Sequence, residues 1–275
     1  MPIKRHTTTK LVDTALADVG VAGNPQAVTF TGSVASVLPA GYKSFHKFGR
    51  NITVNGTALE TIWSGPESAG PILYPWPSVS DTYTIESSNA ADTSLAVEVQ
   101  YMSAGVLVVE NVVTDAVNGT TPVATTFSGE AVLRMRNKGA TDNVGNLILK
   151  HSASGDMLAH IAIGKNQTQQ CIFEIESGYI GYMHLMGGSA STGSVEMDMT
   201  IWAKKAGEGV FQLKGTFPVR GNAFSARDVP LNIGGALDSG IKFTAGTKIE
   251  MRAARGSGTG NINVTGHFTM MSIPT

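Results

Sequence analysis

The chain has a single cysteine, Cys171, among 275 residues. No intramolecular disulfide can form, so no disulfide framework holds the fold. Charge is also scarce. Asp, Glu, Lys and Arg make up 15% of the residues and sum to a net charge of −1, against about 25% charged in an average soluble domain. Basic and acidic residues are interspersed, which argues against the basic stripe of a nucleic-acid footprint. No apolar run approaches the roughly 18 residues that cross a bilayer, so neither nucleic acid nor a membrane is an expected partner. No charged start followed by an apolar run marks a secretory leader. The chain is therefore expected to be made in the cytosol.

The usual signatures of chemistry are missing as well. No G-x-S-x-G elbow, P-loop or strand–GxGxxG–helix unit occurs. Gly256, Gly258 and Gly260 in RGSGTG lack a following helix and a Lys-Ser/Thr pair, so they read as a hairpin tip. The six histidines, His6, His46, His151, His160, His184 and His267, show no metal-binding spacing. Asp142 and Asp156 lie in turn-rich segments without a dense acidic loop. Glu196 and Asp198 share the polar face of one strand, about 7 Å apart, near the spacing of a glycosidase pair. Such pairs are common on solvated strands. Cys171 sits in a strand pattern and reads as a buried thiol. Five N-x-S/T sequons start at Asn51, Asn55, Asn118, Asn166 and Asn263. Without a leader they carry no inference of glycosylation. No catalytic, cofactor-binding or metal-ligating set is assigned, and no enzyme is expected.

What the chain has is alternation. In SVEMDMTIW (194–202), Val195, Met197, Met199 and Ile201 alternate with Ser194, Glu196, Asp198 and Thr200. A period of two puts the apolar side chains on one face of a strand. Apolar residues are 42% of the chain, ample for a core, and polarity comes from Gly, Ser, Thr and Asn. The pattern recurs in TYTIES, LAVEVQY and VLVVENVVT, and then in nine or ten further segments to the C-terminus. Turn clusters such as SSNAADT, KGATDNVG and KKAGEG divide them. The fold class is all-β: two β-sandwich or jelly-roll-like domains preceded by an extended N-terminal arm. The expected divisions are 1–45 (arm), 46–125 (a Pro/Gly-rich wrap plus a small β domain) and 126–275 (a jelly-roll-like sandwich). Pro122 and its flanking Thr cluster mark the second boundary.

Trp63, Tyr74 and Trp76 form the one aromatic concentration. They fit either packing and a subunit interface, where Tyr and Trp are enriched, or a sugar-stacking platform for a host-surface glycan.

Four short segments come in a fixed order: SFHKFGRN (44–51), ETIWSG (60–65), LYPWP (73–77) and SSNAADTS (87–94). Together they resemble a family of tailed-phage virion proteins, common among marine phages, that carry an HKFGRN / ETIW / YP / SSxxADT series. The resemblance covers roughly residues 44–125. After ADT the family has a Gly-rich TGA-type step, where this chain has SLAVEV. The resemblance implies a non-enzymatic structural component of the particle, a homo-oligomer in contact with other virion proteins. A tail position, as a baseplate or fibre connector, is the leading expectation. Capsid decoration is the variant, and a carbohydrate-binding sandwich the alternative of another class. The resemblance also implies location in the virion, after release from the host by lysis. His46, Phe48 and Arg50, with the three aromatics, are the candidate interface and packing residues.

Overall fold

A computed structural model describes residues 40–65, 72–191, 196–220, 225–228, 241–256 and 261–275. Among these residues there are strands and turns but no helix. The chain opens with β1 (Lys43–Val54) and β2 (Glu60–Thr61). Next come β3 (Asp81–Ser87), β4 (Ala96–Ser103), β5 (Val106–Val113) and β6 (Val123–Gly129). β7 (Ala131–Asn137), β8 (Leu147–His151) and β9 (Met157–Ile161) complete this middle group. Then follow β10 (Ile172–Glu174), β11 (Tyr179–Ala190), β12 (Glu196–Lys204) and β13 (Gln212–Arg220). The last are β14 (Ser225–Asp228), β15 (Ile241–Phe243), β16 (Lys248–Arg255) and β17 (Ile262–Pro274).

The expected alternation is realised in β12. Met197, Met199 and Ile201 are fully buried, while Glu196 and Asp198 face solvent. Leu147 and Leu149 do the same in β8.

The large unit is wound as a jelly roll. One sheet runs β1-β17-β11-β14, with β15 also on β11; the other runs β10-β16-β12-β13, with β2 on β16. The antiparallel pairs nest: β1 with β17, β10 with β16, β11 with β14 and β15, and β12 with β13. First strand pairs with last and the inner strands close within, which is the winding of a two-sheet roll. Its core is rich in methionine, with Met183, Met186, Met197, Met199, Met251 and Met270 packed around Phe173, Phe217 and Phe268. Thioether chains fill irregular gaps between sheets well.

The small unit is inserted between β2 and β10. Its sheets are β6-β3-β8-β9 and β5-β4-β7. They close on Tyr83, Ile85, Val97, Val99, Tyr101, Met135, Leu147 and Leu149.

This arrangement corrects the expected divisions. A boundary at 125/126 falls inside β6, which pairs with β3, while β7 pairs with β4 and β8 with β3. The Pro122 turn leads into a strand rather than out of a domain. The jelly roll also takes its first strand from residues assigned to the arm and the wrap, since Lys43 pairs with Ser272 and Phe45 with Met270. Residues 1–39 of the arm lie outside the described residues.

Three glycines bring the two large sheets close. Gly49, Gly266 and Gly188 are register neighbours across β1, β17 and β11. A Cβ on Gly49 would lie 2.2 Å from the Ile62 carbonyl oxygen and 2.7 Å from the Cys171 nitrogen. On Gly266 and Gly188 it would meet the Sδ atoms of Met251 and Met199 at 2.5 and 2.2 Å. At Gly49 the obstacle is backbone, so the facing segment packs directly on the β1 backbone, whereas Gly266 and Gly188 face methionine side chains.

Candidate functional site

The first three motif segments meet at the junction of the two units. Trp63 and Tyr74 pack edge to face with centroids 5.2 Å apart, Tyr74 and Trp76 do so at 5.1 Å, and Phe211 continues the column 6.1 Å from Trp76. Trp76 touches the cores of both units. Tyr74 is tied at both ends. Its hydroxyl donates to the Val132 carbonyl at 3.1 Å, and its backbone N–H donates to Thr61 Oγ1 at 2.9 Å. Burial raises the Tyr74 phenol well above its usual range. Thr61 in turn donates to Glu250, which is paired with Arg252. The Arg252 guanidinium lies over the rings of Trp202 and Phe211, at 4.7 and 5.1 Å.

Trp63 and Tyr74 are each only 3% exposed. A sugar platform needs flat ring faces open to solvent together, and these rings offer none. Trp63 and Tyr74 are packed inside the molecule, and Trp76 is half-buried beside them.

His46, Phe48 and Arg50 sit on the outward face of β1. Phe48 lies opposite His267, His46 opposite Thr269 and Arg50 opposite Thr265. The imidazoles of His46 and His267 stack 5.7 Å apart, and His46 Nδ1 is 3.2 Å from Thr269 Oγ1. Partial burial lowers the pKa of both histidines, and each has a second, coulombic cause: Lys47 for His46, and His46 for His267. Arg50 Nε donates to Asn263 Oδ1 at 2.9 Å. A shallow cleft beside it is lined by Arg50, Thr53, Ser64, His160, Lys165 and Gln169. Within that cleft His160 Nδ1 lies 2.8 Å from the Ser64 carbonyl, and Ser64 Oγ donates to the His160 carbonyl at 3.2 Å.

The inward face of HKFGRN carries a residue that periodicity does not flag. Lys47 is buried, and its ammonium donates to the Leu133 carbonyl. Desolvation lowers its pKa to about 7, with nearby Arg134 adding to the effect and Cys171 opposing it. Cys171 is buried as expected, with Sγ donating to the Gly266 carbonyl at 3.0 Å and its pKa pushed up by burial. Another buried ionisable side chain, Glu174, lies opposite Lys248 at the start of β16. Burial raises its pKa to about 7 against the opposing pull of Lys248. The Lys248 ammonium sits over the Trp76 ring at 5.3 Å.

The fourth motif is a knot. In SSNAADTS the buried Asp92 carboxylate accepts from Ser87 Oγ at 2.6 Å, Val144 N at 2.8 Å and Gly145 N at 2.7 Å. The Asp92 carbonyl accepts from Thr114 Oγ1 at 2.8 Å. One turn residue thus fastens three loops at one end of the small unit. Its turn chemistry was legible in sequence, but its three long-range donors were not.

Glu196 and Asp198 lie exposed on a strand face, and His160 and His184 are half-buried in strands. Among the described residues no group of three or more His, Cys, Asp or Glu side chains is placed to hold a metal ion. Among the same residues no helix is long and apolar enough to cross a membrane. The junction and the knot hold units and loops together, and they present no nucleophile paired with a base.

No protein-family model matches the chain, and no curated protein matches it. Among solved structures it is similar to that of infectious bursal disease virus, Gt strain. That match has 9% identity and a TM-score of 0.24, over 96% of this chain and 78% of the other. It is also similar to the VP2 subviral particle of infectious bursal disease virus. There the identity is 12% and the TM-score 0.21, over 96% of this chain and 77% of the other. TM-scores at this level carry no inference for this chain.

Proposed function

We propose that this protein is a non-enzymatic structural subunit of a tailed-phage virion, acting by oligomeric assembly at the tail as a baseplate or fibre connector. The observation that carries the reading is the ordered motif series together with the duties its residues perform. HKFGRN supplies the first jelly-roll strand, ETIW and YP supply the aromatic column between the units, and SSNAADT supplies the loop knot. A motif set made of scaffold residues suits a subunit selected for shape. The partners under this reading are further copies of the chain and neighbouring virion proteins.

A second position in the particle is favoured by the nested winding of the large unit. Jelly rolls recur in viral capsid domains, although a fold alone does not assign a function. Capsid decoration is therefore the competing location. Quantitative mass spectrometry of purified particles separates the two. A copy number that is a small multiple of three or six supports the tail. Hundreds of copies per particle move the chain to the capsid. Absence from particles refutes both.

A further inference from the structure

We infer that β5 is a self-pairing edge, through which two copies of this chain join their small units into one continuous sheet about a two-fold axis. The inference rests on the assembly reading above and names the surface that assembly uses.

The three-stranded sheet of the small unit has two edges, and the chain treats them differently. The β7 edge is sewn shut. Asn137 N donates to the Asn166 carbonyl and Thr168 N to the Met135 carbonyl, and Arg136 bridges to Gln167. Among the described residues the β5 edge is open over most of its length. Backbone direction follows from two bonds. Leu107 N donates to Glu176 Oε1, away from β4, while Thr114 N donates to the Leu95 carbonyl, toward the β4 side. Successive N–H groups along a strand alternate in direction. The backbone groups of Val109, Asn111 and Val113 therefore point outward, and no hydrogen bond closes them among the described residues. Val109 and Val113 are 52% and 51% exposed, and Asn111 is exposed between them.

Edges left open in soluble proteins are usually blunted by lysine, proline or a bulge. VLVVENVV has neither lysine nor proline, and its ladder with β4 runs from Val106 to Val113 without a register shift. Its one charge, Glu110, chooses the register. Centring the pair on Glu110 sets two carboxylates opposite each other, which is unfavourable. Centring it on Val109 requires the backbone of Leu107, already used by Glu176. Centring it on Asn111 avoids both. Val109 then lies opposite Val113 of the partner subunit, and Val113 opposite Val109 of the partner subunit. Each pair buries two exposed valines. Asn111 meets Asn111 of the partner subunit on the axis, and the outward backbone groups of all three residues are satisfied.

The test uses three variants of the full chain. In the proposed pair the two residue-111 Cα atoms lie about 5.5 Å apart, within disulfide reach. Mild oxidation of Asn111→Cys gives a covalent dimer on a non-reducing gel. Val106→Cys, on the same exposed strand but on the order of 30 Å from its copy, gives none under the same conditions. Asn111→Pro removes an outward N–H that makes no bond to β4, a position where edge strands tolerate proline. Its mass by light scattering falls to half that of the wild type, with an unchanged circular dichroism spectrum. Val109→Lys, a gatekeeper on the same edge, gives the same halving. Equal crosslinking of both cysteine variants, or an unchanged mass in both Asn111→Pro and Val109→Lys, overturns the inference. If the wild type remains oligomeric in that case, assembly uses another surface and the virion reading stands. Absence of the chain from particles refutes that reading without touching the crosslink.

Discussion

Replacing Gly49 by alanine puts a single methyl group against backbone on the facing segment, at a position of ordinary backbone conformation. In an unconstrained strand Gly→Ala stabilises by about 0.4–1 kcal/mol through the unfolded chain, so any loss must come from contact. The added Cβ would lie 2.2 Å from the Ile62 carbonyl oxygen and 2.7 Å from the Cys171 nitrogen. Ordinary carbon contacts sit near 3.5 Å, so the facing backbone must retreat by about 1 Å. Backbone cannot rotate away as a side chain can. That retreat also pulls on Cys171 N→Ile62 O and Ile62 N→Met251 O, both 2.9 Å. Overpacking costs about 1–3 kcal/mol, and two weakened backbone hydrogen bonds add about 1 kcal/mol each. The net expectation is a loss of about 3 kcal/mol, a fall in Tm of roughly 6–9 °C at this chain length. Gly266→Ala is the comparison. Its Cβ meets Met251 Sδ at 2.5 Å and Ile62 Cδ1 at 2.9 Å, atoms at the ends of side chains that can move, and its loss is about 1–2 kcal/mol. Differential scanning calorimetry with urea titration reads both. A Gly49→Ala protein melting within 1 °C of wild type, or one more stable than Gly266→Ala, refutes the close approach of the two sheets.

Three further outcomes are expected. Ala104 sits at φ 50° and Gly105 at φ 73° in the β4–β5 turn, the two positive angles of a type I′ hairpin. Ala104→Asn relieves about 1 kcal/mol of left-handed strain and raises Tm by about 2–3 °C; a lower Tm contradicts that assignment. Asp92→Ala strands two backbone donors and a hydroxyl, costs about 3–5 kcal/mol and speeds amide exchange at Val144 and Gly145; unchanged exchange there contradicts the knot. Glu174 has a folded pKa raised from 4.5 to about 7, so its contribution is fully present below pH 4.5 and is lost as pH rises toward and through 7. Glu174→Gln flattens the stability profile over that window and is the more stable protein at pH 8, as urea titration across pH measures; a parallel profile shows that Glu174 is not the group responsible.

Local periodicity decided a good deal by itself. The alternation of SVEMDMTIW sets Met197, Met199 and Ile201 inward and Glu196 and Asp198 outward, because a pleated strand turns each successive side chain to the opposite face. The same pattern fixed the all-β class, and the chemistry of a lone Cys171 in an apolar segment fixed its burial. Pairing is another matter. Lys43 meets Ser272 across nearly the whole chain, and nothing in either segment names the other. The boundary at 125/126 failed for that reason: a proline turn is local, whereas the partner of a strand is chosen by loop closure and by which apolar faces remain uncovered. HKFGRN shows the limit most plainly. Its alternation sets Phe45, Lys47 and Gly49 on one face and His46, Phe48 and Arg50 on the other. Hydropathy gives no reason to bury the face with the lysine. The roll buries that face because Gly49 admits the opposing backbone and the Leu133 carbonyl receives the Lys47 ammonium. Tertiary structure alone supplies those two neighbours.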